Sequence, residues 1–187
     1  MAQSFLGRND LPVGLRNNNV GNLRGDTAWQ GKVGMSETGN YVQFSDIAWG
    51  IRAFLTNLYT QINKYGLDTP IKYISKYAPS GDAQNNPTQY ATKLANDLGI
   101  GINDKIPTNN DSLRIIVRSQ MEEELGKKYA NLITDDDVNE GISLLNDKVL
   151  SFFGATAIFA KNNSTAIILI TLSLAAYIYW LKTKKIV

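Results

Sequence analysis

The chain contains no cysteine and no histidine, which removes thiol nucleophiles, imidazole bases and nearly all zinc or iron sites together. Acid–base chemistry then falls to carboxylates, with Tyr or Lys as outsiders. Among the five glutamates, Glu124 stands apart. It lies seven positions beyond Val117, in a run where Leu113, Ile116 and Val117 recur at helical spacing, so two turns return it to the apolar face within about 20°. Gly126 follows directly and lets the chain turn away. A carboxyl half-buried in apolar surroundings can stay protonated near neutral pH, as the general acid that cleaves a glycosidic bond must. Glu37, in the loop of an expected hairpin, is the second candidate, with Asp26 and Asp46 behind it. Glu122 and Glu123 point away from the Val117 face, and Glu140 lies on the charged side of its helix. The alternative for Glu124 is a frayed helix end paired with Lys127 or Lys128; for Glu37 it is a solvated loop tip.

A second group of polar residues sits near the start of the chain. Arg16-Asn17-Asn18-Asn19-Val20-Gly21-Asn22-Leu23-Arg24 is followed by Trp29-Gln30-Gly31, Tyr41-Val42-Gln43-Phe44 and Gly50-Ile51-Arg52-Ala53. Asparagines beside glycine and a two-residue alternation at 41–44 predict a polar groove edge and a small β-hairpin. Amide side chains both donate and accept, which suits a neutral ligand rich in hydroxyl and acetamido groups, such as a sugar chain. They equally suit turns and positive φ.

Helices must hold these groups in place. Ser45 can cap a helix in which Ile47, Ile51, Phe54, Leu55, Leu58 and Ile62 share one face and which Gly66 ends. Pro70 opens a short helix with Ile71 and Ile74 turned inward, and Ala78-Pro79 stops it. Pro87 begins another, carrying Tyr90, Leu94 and Leu98 up to Gly99. Asp111 can cap the helix that ends in Glu124. Thr134 starts the next one. Asp135, Asp136 and Asp137 fall in its first turn, where carboxylates meet the positive end of the helix dipole. Their spacing lacks the alternating oxygens and turn glycine of a calcium loop, so no metal or cofactor is expected.

The motifs RNNNVGNLRG, WQGKVG, YVQF and GIRA, continued by TPIKYISKYAPS and NNPTQYATKL, resemble those of phage virion-associated peptidoglycan-degrading proteins of the lytic transglycosylase type, within the lysozyme-like superfamily. The resemblance covers residues 14–145. Val20 stands where that family has proline, and Tyr77 where tryptophan is usual. An apolar helix ending in Glu-x-Gly also resembles the catalytic-glutamate helix of lysozyme-like enzymes, although here it follows the asparagine region instead of preceding it. The resemblance implies that Glu124 or Glu37 is catalytic, that Asn18, Asn19 and Asn22 line a saccharide groove, that Trp29 or Trp49 stacks on a sugar, and that Tyr90 bonds an N-acetyl group. It implies a fold of mainly α type, α+β and lysozyme-like with one small hairpin. The expected task is cleavage of peptidoglycan glycan strands as a phage genome enters the cell, by a protein anchored in the internal membrane of the virion, or in the host membrane during assembly, with the lipid membrane and other virion or capsid proteins as partners. A non-catalytic structural or glycan-binding virion protein is the alternative, and a holin-like lysis protein a third.

At 187 residues, 43% hydrophobic and 19% charged, the chain has the composition of one globular domain. A net charge of +2 without a dense basic block gives no ground for nucleic-acid binding. Residues 164–181 carry no charge, with Tyr177, Tyr179 and Trp180 at one end followed by three lysines, the pattern of a C-terminal transmembrane helix and its boundary. The expected organisation is therefore an irregular arm at 1–13, the globular domain at 14–148, an interfacial segment or helix extension at 149–163, the membrane helix at 164–181 and a basic tail at 182–187.

Overall fold

The computed structural model describes residues 2–77 and 86–145. They belong to one compact unit, Met1–Leu145. Its elements in chain order are α1 (Val13–Arg16), β1 (Lys32–Met35), β2 (Val42–Phe44), α2 (Ile47–Tyr65), α3 (Pro70–Tyr77), α4 (Pro87–Leu98), α5 (Asn110–Leu125) and α6 (Lys127–Ala130). A further helix, α7, occupies residues 135–145. The described fold is thus mainly helical with one two-stranded antiparallel sheet.

The expected fold class is corrected in its membrane part. Among the described residues no helix is long and apolar enough to cross a membrane. The run at 164–181 lies outside the described residues, as do 149–163 and 182–187. The N-terminal residues, expected as a separate arm, fall within the compact unit. Gln3 ties them down: its N–H and Nε2 donate to the Asp137 carboxylate at 2.9 and 2.8 Å, and its carbonyl accepts from Ile47 N–H.

Helix α2 is the central element. Asp46, not Ser45, caps it by accepting from Trp49 N–H, and Gly66 closes it in the left-handed region at φ 67°. Ile47, Ile51, Phe54, Leu55 and Leu58 are fully buried along it, each such side chain contributing about 1.5–3 kcal/mol of burial. Gly50 is required by close approach, because a Cβ there would sit 1.7 Å from the Asn18 carbonyl oxygen. The asparagine loop therefore lies directly against the α2 backbone. On another side α7 packs closely, since a Cβ on Gly141 would come within 2.6 Å of Ile51 Cγ2.

The hairpin pairs Lys32 with Phe44, Gly34 with Gln43 and Met35 with Val42, with an irregular register between Lys32 and Gly34. That irregularity leaves Val33 exposed while Val42 and Phe44 point into the core. The asparagine loop borders β2 from outside the hairpin: Val42 N–H donates to the Leu23 carbonyl and Phe44 N–H to that of Asn17. Caps set the remaining helices. Asn86 caps α4 and Asn109 caps α5, two residues before the expected Asp111. Helices α3, α4 and α5 pack in succession, and this places Tyr77, Tyr90 and Gln120 near one another.

Candidate functional site

Glu124 lies in the last turn of α5, one residue before Leu125, and is half-buried. Leu125 is driven into the core and Gly126 releases the chain at φ 75°, so the carboxyl is held at the rim of the apolar interior. Asn22 Nδ2 donates to Oε2 at 2.5 Å and Gln120 Nε2 to Oε1 at 3.2 Å. The Tyr77 hydroxyl is within reach of the carboxylate and also donates to the Gly21 carbonyl at 2.9 Å. Its single proton can serve one of them at a time. Gln120 Nε2 donates to Tyr77 Oη at 2.6 Å, and Tyr90 Oη donates to Gln120 Oε1.

Burial raises the Glu124 pKa above the ordinary 4.5, and the neighbouring Glu123 charge adds to this; the bonds from Asn22, Tyr77 and Gln120 pull the other way without cancelling it. Tyr73, Tyr77 and Tyr90 are all pushed upward, first by burial and then by nearby charge, that of Glu124 among them. The phenols are therefore hydrogen-bonding groups and not bases. Asn22 holds φ 46°, a conformation asparagine tolerates. Its Oδ1 is buried without a partner among the described residues, as is the Tyr73 hydroxyl.

The other two asparagines are turned inward. Asn18 and Asn19 have no exposed surface. Asn18 Nδ2 donates to Ser4 Oγ and the Phe44 carbonyl, and its Oδ1 accepts from Phe5 N–H. Asn19 Nδ2 donates to the Leu23 and Val42 carbonyls, while its Oδ1 accepts from Leu23 N–H. Both amides are used up in joining the loop to its neighbours, so groove lining by Asn18 and Asn19 is corrected to a structural role. Asn22 alone of the three reaches the carboxyl.

Trp29 packs with Met35 and Trp49 against Leu23, Val42, Phe44 and Ala53, and its Nε1 is buried. Its ring is thus largely committed to the hydrophobic interior. Tyr90 is buried and works through Gln120. Glu37 is exposed near the hairpin tip and lines a separate cleft with Arg16 and Tyr41. Asp26 is exposed and Asp46 is occupied as a helix cap. Of the acidic triplet, Asp137 serves in capping, accepting from Thr134 N–H and Oγ1, while Asp135 pairs with Arg118. No group of His, Cys, Asp or Glu able to hold a metal occurs among the described residues.

Two contributors to the Glu124 environment, Gln120 and Tyr77, went unrecognised as site residues in the sequence. Gln120 stands four positions before Glu124, one helical turn, and that spacing was the available signal. Tyr77 offers only its place at a motif position of the resembled family, and the packing of α3 against α4 and of α4 against α5 brings it to Glu124.

No family model matches the chain. Over 137 residues the chain is 29% identical to Protein P5 of Pseudoalteromonas phage PM2, covering 71% of this chain and 81% of that protein. The chain is thus a distant relative of a phage protein. That name carries no lysozyme or transglycosylase designation, so a glycan-cleaving activity has to be argued from the residues themselves.

Proposed function

We propose that this protein is a phage virion component that cleaves the glycan strands of bacterial peptidoglycan, by lytic transglycosylase or muramidase chemistry, with Glu124 as general acid. The observation that carries it is one carboxyl, half-buried at the end of a helix, with its pKa raised by burial and its orientation set by Asn22 and Gln120. A group so placed holds a proton closer to neutral pH than a solvated glutamate does, and can deliver it to a leaving oxygen. The similarity to a phage protein supports the virion setting. Incubating the full chain with purified peptidoglycan and following release of soluble muropeptides tests this, because an inactive preparation with correctly folded protein would refute it.

A second proposal is a non-catalytic glycan-binding virion protein. It is favoured by the donors on both Glu124 oxygens, which hold the carboxyl as a structural anchor would. Under that alternative the full chain would sediment with insoluble peptidoglycan and release no fragments.

A further inference from the structure

The cleft that Glu37 lines is distinct in make-up from the Glu124 environment. It encloses about 400 Å³ between the loop carrying Gly7 and Asn9, helix α1 with Arg16, and the hairpin from Ser36 to Gln43. Its walls are fixed by hydrogen bonds internal to the fold. Gly7 N–H donates to the Arg16 carbonyl at 3.0 Å, joining the first two walls. Asn17 joins the second to the third, donating from Nδ2 to the Val13 carbonyl and accepting from Gln43 Nε2. Ser36 closes the hairpin tip by bonding the Tyr41 backbone in both directions. Outside the cleft, Arg24 lies over the Tyr41 ring at 4.9 Å and donates to its hydroxyl, which fixes that aromatic wall.

Two charged side chains of opposite sign line this preformed space, and neither Arg16 nor Glu37 has a side-chain hydrogen bond or ion pair among the described residues. Pairing is available elsewhere in this domain. Asp10, Asp68, Asp97, Asp111 and Asp135 each take a basic partner within 4.0 Å. An Arg and a Glu in one cleft that do not neutralise each other present separated positive and negative points, with the neutral donors and acceptors of Asn9, Thr38 and Asn40 between or beside them. A neutral sugar can hydrogen-bond to that charge pair but cannot neutralise it. A small zwitterion does, because its carboxylate can pair with the guanidinium while its ammonium meets the carboxylate.

We infer that the cleft between α1 and the hairpin tip binds a short peptide carrying a free carboxylate and a free ammonium group, with Arg16 taking the former and Glu37 the latter. In the wall polymer that chemistry belongs to the stem peptides and not to the glycan. This source rests on the function proposed above, whereas the binding itself needs no turnover. Calorimetric titration of the full chain with a sugar-free stem tetrapeptide of alanine, D-glutamate, diaminopimelate and D-alanine tests it. Saturable binding is expected, weakened by added salt and reduced by roughly tenfold or more in Arg16→Gln and in Glu37→Gln. Both positions are at least partly exposed, and unchanged thermal melts will show that the variants are folded. Glu124→Gln should bind the tetrapeptide as the unaltered chain does. No binding by the folded protein, or binding unaffected by both cleft variants, overturns the inference. So does a tetramer of N-acetylglucosamine whose affinity falls in the same two variants, which would make the cleft a sugar subsite. Peptide binding without glycan cleavage would sink the proposed reaction and leave this site standing, and cleavage without peptide binding would do the reverse.

Discussion

Asn22 and Glu124 stand 102 residues apart in the chain and meet through a 2.5 Å hydrogen bond from Nδ2 to Oε2. The contact joins the asparagine loop to the end of α5, and Gly14 keeps the two close: a Cβ there would lie 3.0 Å from Leu125 Cδ2 and 3.1 Å from Asn22 Oδ1. The loop thus orients the carboxyl through one amide while those of Asn17, Asn18 and Asn19 hold the loop itself in place.

Replacing Glu124 with Gln keeps shape and hydrogen bonding but removes the transferable proton. Muropeptide release should fall by roughly 10²–10⁴-fold, the usual worth of general acid catalysis. Glu123→Gln, on the exposed side of the same turn, should retain most of the rate. Equal rates in Glu124→Gln and the unaltered chain would remove Glu124 from the reaction.

The same substitution has a pH signature in stability. A raised carboxyl pKa means that the folded protein holds this proton more tightly than the unfolded chain does. The linked stability is therefore full below the ordinary value of 4.5 and is lost as pH rises through the raised folded value. Urea midpoints of the unaltered chain and Glu124→Gln should converge in acid, with the variant becoming relatively more stable as pH rises. A gap that opened in the opposite direction would mean that the bonds from Asn22, Tyr77 and Gln120 outweigh burial.

Asn19→Ala removes two bonds to backbone carbonyls and one from a backbone N–H, all buried. Each buried group left unpaired costs about 1–3 kcal/mol, so the urea midpoint should drop clearly. The affinity of the surviving folded protein for insoluble peptidoglycan should stay the same. A variant of normal stability that no longer bound the polymer would return Asn19 to the groove.

These two asparagine roles mark where the sequence stops being informative. Helical spacing locates α2, α3, α4 and α5, because apolar residues three and four apart must share a face and because Gly66, Pro70, Pro87 and Gly99 punctuate the chain on steric grounds alone. The return of Glu124 to the Val117 face follows from the same periodicity. Cap residues are less sharply defined, since Ser45 and Asp46, or Asn109 and Asp111, offer equivalent acceptors and only the backbone path chooses. Whether an asparagine turns toward a ligand or toward its own backbone depends on contacts such as Asn19 with Val42, 23 residues away, and no local pattern encodes those. The docking of Gln3 on Asp137 is a contact of the same long-range kind.

That docking predicts acid sensitivity of a different sign. Burial alone would raise the Asp137 pKa, but the bonds from Gln3 and Thr134 together bring it below the ordinary 3.8. Stability from a lowered carboxylate is present above 3.8 and is lost as pH falls through the folded value. Asp137→Asn should therefore be less stable than the unaltered chain at neutral pH, with the difference shrinking toward acid. Hydrogen exchange at Gln3 and Ile47, whose N–H groups donate to Asp137 and to the Gln3 carbonyl, should speed up in that variant. Protection unchanged at both amides would mean that the N-terminal segment is held by other contacts.

The products of cleavage decide how many carboxyls take part. Hydrolysis by a glycosidase needs a second carboxylate as base or nucleophile, whereas attack by the sugar's own 6-hydroxyl can proceed with one group that first gives and then takes a proton. The bonds described around Glu124 come from two amides and a phenol, and Glu37 lines a different cleft. Cleavage centred on Glu124 should thus yield 1,6-anhydro-muropeptides, identified by their mass deficit of one water relative to hydrolysis products. Glu37→Gln should leave that product type unchanged even if it weakens peptide binding. Recovery of reducing-end sugars alone, abolished in Glu37→Gln, would instead make Glu37 the second carboxylate and require it to act on the same bond as Glu124.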